Sequence, residues 1–257
     1  MKNDRIRILS LDISSCRFDE ALEEVKDRAR HRSPSYVCFA NVHMVVEAHH
    51  DPVFAQKVNN ATLTLPDGVP LVKAGSILHG KRMERIAGMD FMPRLIRSMN
   101  QDKNHSYKIF FYGSTPEVLE QLKSYVEQNF SGVKIAGFIS PPFRPLSEEE
   151  TEMHMRNIND SGAEVVFVGL GCPKQENWMA ANYRNINAVL LGVGGAFLTT
   201  AGLQKRAPRF MQKAGLEWFY RLQQEPRRLF KRYLKTNSRF VALLMKETAK
   251  KFFYGRK

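Results

Sequence analysis

The chain is poor in cysteine: Cys16, Cys38 and Cys172 are the three among 257 residues. They are odd in number, far apart and never arranged as CxxC. That argues against a disulfide framework or a structural zinc site and fits a reducing compartment. No run of about 18 apolar residues occurs, so no segment reads as a membrane-spanning helix. Residues 1–13 carry charges where a signal peptide needs its apolar stretch. The seven histidines show no HExxH or other ligand spacing, so no metal site is expected. GxxxxGK[ST] is absent, and so is GxGxxG followed by an acid about 20 positions on; a Walker loop and a dinucleotide fingerprint are excluded. With 43% apolar and 25% charged residues, the composition is neither disordered nor collagen-like. The length suits one large domain, or one domain with an appendage.

Acidic residues are scarce in one place only. The net charge is +13. Residues 203–257 hold 16 basic and three acidic side chains, and residues 1–202 hold 23 of each. The whole excess therefore belongs to the last 55 residues. A neutral body with a basic tail points to a tail that meets something anionic. Phospholipid head groups, a diphosphate ligand and nucleic acid all qualify, and the plain alternative is a solvated basic helix.

Along residues 1–202, apolar runs alternate with amphipathic stretches. Strand-like runs fall at 6–11, 36–40, 61–65, 108–112, 133–138, 164–170 and 188–193. Helix-like stretches fall near 17–31, 43–58, 89–100, 116–129, 147–161 and 173–185. Pro116 and Pro173 suit first helical turns, and Ser147 with Glu150 suits a capping box. The central runs are continuous rather than alternating, as in strands buried on both faces. This predicts an α/β, Rossmann-like parallel-sheet core over 1–202. Residues 203–257 read instead as a basic, amphipathic helical appendage, broken at Pro226. On a helix from about Arg227, Phe230, Tyr233, Leu234, Val241, Leu244 and Met245 form an apolar stripe among Lys and Arg. Phe230, Tyr233, Phe240, Leu244 and Phe252 are candidates for the membrane surface.

Rossmann-like sheets bind ligands outside the carboxyl ends of their strands. Polar or Gly-rich segments follow the strand-like runs at Asn41–His43, Asp67-Gly68, Gly113–Thr115, Gly169–Glu176 and Gly192–Gly195. Gathered on one edge, they make one pocket. Asp67 before Gly68 suits a turn, and a carboxylate at a strand end also suits a general base. In the 169–176 segment, Gly171 permits close approach of a ligand, and the helix start offers free N–H groups to a phosphate. Lys174 adds charge, and Gln175 both donates and accepts. Gly194 and Gly195 form a second such turn. Arg85 suits either a phosphate or a surface ion pair. Cys172 lacks an evident histidine partner and reads as pocket lining.

The ordered set of segments resembles the WecG/TagA/CpsF glycosyltransferases. The matching stretches are PheAlaAsnVal at 39–42, LeuProAspGly at 65–68, ArgIleAlaGlyMetAsp at 85–90 and PhePheTyrGly at 110–113. They continue with GlyLeuGlyCysProLysGlnGlu at 169–176, GlyValGlyGlyAlaPhe at 192–197, LysArgAlaProArg at 205–209, LeuGluTrpPheTyrArgLeu at 216–222 and GluProArgArg at 225–228. No one motif is specific, but nine in order are.

The resemblance implies an inverting enzyme that moves N-acetylmannosamine, its uronate or glucose from a UDP-sugar to a polyprenyl-diphosphate-linked saccharide. The setting it implies is the cytoplasmic membrane face, in cell-surface polysaccharide or teichoic acid synthesis. It implies no metal or other cofactor, and no DxD motif is present. It makes Asp67 the catalytic base. It makes Asn41, Arg85 and Gln175 pocket residues; Gly113, Gly171, Lys174, Glu176, Gly194 and Gly195, from the strand-end segments, complete the expected substrate-binding set. Arg221, Arg228 and Lys231 become appendage cations that meet the diphosphate. Two positions depart from the pattern: Phe39 stands where Thr is frequent, and Leu198 where some members have Asp. The rival reading, a basic-tailed nucleic-acid-binding protein, lacks any recognised module. The expected partners are therefore a UDP-sugar, a lipid-linked acceptor and an anionic membrane surface, and not nucleic acid.

Overall fold

The continuous apolar runs divide residue by residue between two faces of one sheet. A computed structural model describes residues 4–213 and 215–254, without the side chains of Arg209, Lys213, Arg228, Arg232 and Tyr254. Its strands are β1 (Arg5–Ile8), β2 (Leu11–Ser14), β3 (Ser35–Ala40), β4 (Leu63–Pro66), β5 (Lys108–Gly113), β6 (Lys134–Ile139), β7 (Val165–Gly169) and β8 (Val189–Gly192). The helices of the first half are α1 (Phe18–Arg30), α2 (Val42–His50), α3 (Pro52–Asn59), α4 (Val69–His79), α5 (Gly88–Asn100) and α6 (Pro116–Asn129). Those of the second half are α7 (Glu148–Asp160), α8 (Lys174–Asn182), α9 (Ala196–Thr200), α10 (Arg209–Lys213), α11 (Glu217–Gln224) and α12 (Pro226–Tyr254).

Strands β3 to β8 form a parallel sheet in the order β4-β3-β8-β7-β5-β6. Side chains alternate across a strand. Phe111, Phe167 and Leu191 therefore enter one core with Phe91, Leu95 and Leu122 from the helices. Their neighbours Phe110, Val166 and Leu190 enter the other with Met44, Phe54 and Met179. Both faces being covered explains why these runs show no polar alternation. Each such buried side chain contributes about 1.5–3 kcal/mol. The α/β, Rossmann-like expectation holds.

Four local readings are corrected. The run 6–11 is not a strand of the main sheet. It splits into β1 and the start of β2, a separate antiparallel hairpin with Ile6 opposite Ile13. The stretch 43–58 breaks at Asp51, whose carboxylate accepts from the N–H groups of Val53 and Phe54 at 2.9 and 3.0 Å and caps α3. Helix α4 escaped the sequence reading because its segment has a weak polar face to mark it; Leu71, Ala74 and Leu78 are its buried contacts. The apolar side chains of α12 form two stripes, not one. Leu229 and Phe240 are buried, with Leu244 packed against the cluster that holds Met44 and Leu71. Phe230, Leu234, Val241 and Met245 stay exposed on another face. Phe240 therefore belongs to the core and not to a membrane-facing stripe. The break at Pro226 and the Ser147–Glu150 capping box are as expected. Among the described residues, no helix is long and apolar enough to cross a membrane.

Candidate active site

Because β3 to β8 all run the same way, their carboxyl ends share one edge. The segments after β3, β4, β5, β7 and β8 gather there. Asp67 follows β4 directly, and its N–H donates to the Ala40 carbonyl at 2.7 Å. Gly68, at φ +131°, turns the chain into α4 and leaves the Asp67 side chain at the edge. The Ile86 N–H donates to the Pro66 carbonyl at 2.9 Å, which ties the Arg85 loop to the same strand end. Burial pushes the Asp67 carboxyl up to about 7. Arg85 and Arg221 pull it down, and Glu217 and Asp90 push it up. A carboxylate poised near neutrality can take a proton from a bound hydroxyl.

Asn41 sits at the end of β3 and caps α2, its Oδ1 accepting from the Met44 N–H at 3.1 Å. That bond orients the side chain through its oxygen. Phe39 points away from the edge. Its ring packs on Phe91 at 5.3 Å, within the core.

Gly113, after β5, has φ +109°, and a Cβ there would stand 2.8 Å from the Gly169 backbone. Only glycine lets the β5 and β7 ends close up in this way. Gln175 is a strut between the two Gly-rich turns. Its Nε2 donates to the Gly192 carbonyl at 2.8 Å and to Glu176 Oε1 at 2.7 Å. Its Oε1 accepts from the Gly171 N–H at 3.2 Å and lies beside Gly194. Gln175 is thus almost wholly occupied with the protein. Glu176 is fully buried, and burial raises its carboxyl to about 7 against hydrogen bonds that lower it. Lys174 is exposed on the first turn of α8. Burial pushes the Cys172 thiol well above its ordinary value, which suits pocket lining rather than a thiolate nucleophile.

The appendage reaches this edge through α11. The Arg221 guanidinium lies against Gly195, with Nη2 3.3 Å from where a Cβ would be. Its Nε is buried without a hydrogen-bond acceptor. Lys231 does not join Arg221. With Phe219, Leu222, Pro226, Arg227 and Phe230 it lines an open groove of about 690 Å³. Glu217 and Arg221 occupy one face of α11, whereas Phe219 and Leu222 occupy the opposite one. The Arg228 side chain lies outside the described residues.

Sequence reasoning missed Asp90, Arg206 and Glu217. Arg85 Nη2 donates to Asp90 Oδ2 at 2.6 Å, and Nη1 donates to Glu217 Oε2 at 3.3 Å. Arg206 Nη2 lies 2.8 Å from Asp90 Oδ1 and 3.5 Å from Glu217 Oε1. The available signal was compositional: Glu217 is one of three acids in a segment of 16 cations. Among the described residues, no group of three or more His, Cys, Asp or Glu could hold a metal ion.

The profile of the glycosyl transferase WecG/TagA/CpsF family matches residues 6–253. An N-acetylglucosaminyldiphosphoundecaprenol N-acetyl-beta-D-mannosaminyltransferase of Bacillus subtilis is 32% identical over 218 residues, covering 84% of this chain and 81% of that protein. The protein of the same name in Bacillus spizizenii is 32% identical over 217 residues, covering 84% and 80%. That of Staphylococcus aureus is 28% identical over 223 residues, covering 84% of each. A match from the β1 hairpin to the last turn of α12, with the family's segments on one sheet edge, makes this chain a member of the WecG/TagA/CpsF family of glycosyltransferases.

Proposed function

We propose that this glycosyltransferase moves N-acetylmannosamine from its UDP-sugar to a saccharide carried on polyprenyl diphosphate, with inversion and without a metal. The observation that carries this reading is Asp67, a carboxyl directly after β4 that burial raises to about 7 and that the charges of Arg85 and Arg221 pull down. The relatives' name specifies a β-mannosaminyl product and a diphosphoundecaprenol-linked acceptor. An α-linked UDP-sugar yields a β product by one in-line displacement, which needs a base on the acceptor side and no protein nucleophile. Asp67 takes the acceptor hydroxyl proton as the new C–O bond forms. The bond to UDP breaks, and its electron pair leaves with the diphosphate. Arg221 supports that leaving charge, Arg85 assists from the core, and Asn41 with the Gly113, Gly171 and Gly194–Gly195 turns shapes the pocket.

Incubation with a panel of UDP-sugars and a short-chain prenyl-diphosphate-linked N-acetylglucosamine tests this directly. UDP release with UDP-N-acetylmannosamine and a β-linked product is the expected result. Turnover only with the uronate or with UDP-glucose would replace the donor, and no UDP release with any sugar would refute the reading. The pH profile gives a second test. Asp67 must be deprotonated to act, so kcat/KM is expected to fall about tenfold per unit as pH drops below about 7. A flat profile from pH 5 to 8 would remove Asp67 from the base role.

We further assign residues 203–257 as an appendage that holds the enzyme on the cytoplasmic membrane face and closes the site. The exposed stripe Phe230, Leu234, Val241 and Met245 supports this, as does the local charge excess. Each cation near an anionic surface adds about 1 kcal/mol. Leu234→Glu combined with Val241→Glu is expected to abolish co-sedimentation with anionic vesicles without altering the fold, because both side chains are exposed. Unchanged sedimentation would place the membrane contact elsewhere.

A further inference from the structure

Helix α11 carries Arg221, yet none of its residues is buried. A helix of eight residues cannot hold its own geometry in water, and here the apolar burial that usually seats such a helix is lacking. Its last turn is tied by Gln224 Nε2, which donates to the Lys205 carbonyl at 3.0 Å, and what joins its first turn to the core is ionic. Arg85, Asp90, Arg206 and Glu217 form a closed ring in which each guanidinium meets both carboxylates and each carboxylate divides its oxygens between both arginines. The four contacts measure 2.6, 2.8, 3.3 and 3.5 Å. The side chains are between 15 and 29% exposed, so solvent screens them only in part. The ring draws on three separate segments. Arg85 and Asp90 belong to the loop after α4 and the first turn of α5, Arg206 to the connection after α9, and Glu217 to the first turn of α11.

We propose that Glu217, held by Arg85 and Arg206, is a positioning residue that latches α11 onto the core and thereby delivers Arg221 to the catalytic edge. Glu217 precedes Arg221 by four residues, so the two share one helical face. Fixing Glu217 therefore fixes both the rotation of the helix and the reach of Arg221. An acid in a segment otherwise crowded with cations gives the register a single solution, since no neighbouring side chain of α11 can take its place between two guanidinia. Partly buried ionic groups are best attested in this register-setting use. With Asp90 as the second carboxylate, two negative charges meet two positive ones, so the ring closes without a net charge beside Asp67.

Displacing a catalytic group by about 1 Å costs about a hundredfold in rate. Glu217→Gln, which keeps the shape but loses the charge, is accordingly expected to lower kcat by about 10- to 100-fold with little change in KM for the UDP-sugar. In an Arg221→Ala background the same change should cost less than about twofold, because its effect runs through Arg221. Additive losses in the two backgrounds would overturn the latch. So would a Glu217→Gln protein with full or raised kcat, since Glu217 would then compete with an anionic substrate for Arg85 and Arg206.

These kinetic arms rest on the glycosyl-transfer reading, whereas amide hydrogen exchange on the full chain without substrate does not. Glu217→Gln should raise exchange across residues 217–224 by about tenfold or more and leave β3, β7 and β8 unchanged. Arg206→Gln, altered on the core side of the ring, should do the same. Exchange in α11 that stays at the native level in both variants, or that rises throughout the sheet as well, would refute the proposal whatever the activity.

Discussion

Replacing Asp67 with Asn is expected to lower kcat by about 10²–10⁴-fold, the usual contribution of a positioned general base. The amide keeps the size and the hydrogen-bonding reach of the side chain but cannot accept the acceptor's proton. Binding of the UDP-sugar should persist, because the charges proposed to meet its diphosphate are on Arg85 and Arg221. Folding should persist as well. The carboxyl is already held near 7 by burial, so a neutral group there removes a desolvation cost rather than an essential ion pair. The measurement is a single-turnover rate with saturating donor, beside a titration of UDP affinity. An Asp67→Asn protein with full turnover and intact binding would sink the base assignment. The same variant should also lose the acidic limb of the pH profile, since the group that titrates there is gone.

Arg221→Ala is expected to cost about 10²–10³ in kcat. That corresponds to about 2.7–4 kcal/mol, the range for losing one preorganised donor to a developing negative charge. The physical reason is that the neighbouring guanidinia of Arg85 and Arg206 are committed to Asp90 and Glu217. Arg85 divides its guanidinium between Asp90 and Glu217, whereas the Arg221 Nε is buried without an acceptor and its Nη2 rests against Gly195. Arg206 likewise keeps a buried Nε without an acceptor, but its Nη2 is engaged by Asp90 and Glu217, so Arg221 is the less committed of the two. Vesicle binding should be unchanged, because Arg221 faces the core and not the exposed stripe of α12. A variant that loses membrane binding but transfers at the normal rate to a soluble acceptor would contradict the role. Combined with Asp67→Asn, the loss should fall short of the product of the two single losses, because groups that act on one transition state are not additive.

Parts of this site were legible residue by residue. Asp67, Asn41 and the Gly113 and Gly169–Gly171 turns could be found because each follows a strand-like run. In a parallel sheet, every such position falls on the same edge. Gln175 was found by the same rule, but its surroundings were not: the side chain joins its own turn at Gly171 to the Gly192 carbonyl, 17 residues beyond Gln175. Lys231 was read with Arg221 as one cluster. They separate because Arg221 lies on the Glu217 face of α11, whereas Lys231 lies on α12, beyond the break at Pro226, in the groove lined by Phe219 and Leu222. The helical stripe was legible as apolar and basic. Which half of it packs inward depends on α2 and α4, whose positions no local pattern reveals.

The continuous apolar runs determined the two-faced sheet, and the uneven charge placed the whole net excess in the last 55 residues. Both are properties of neighbours along the chain, set by the periods of helix and strand. The tertiary structure alone decided that Glu217, 132 residues from Arg85, completes an ionic ring at the mouth of the site. It alone decided that Asp67 is raised toward neutrality. Electrostatic energies depend on distance through space and on the water excluded between groups, and neither quantity is written in the order of the residues.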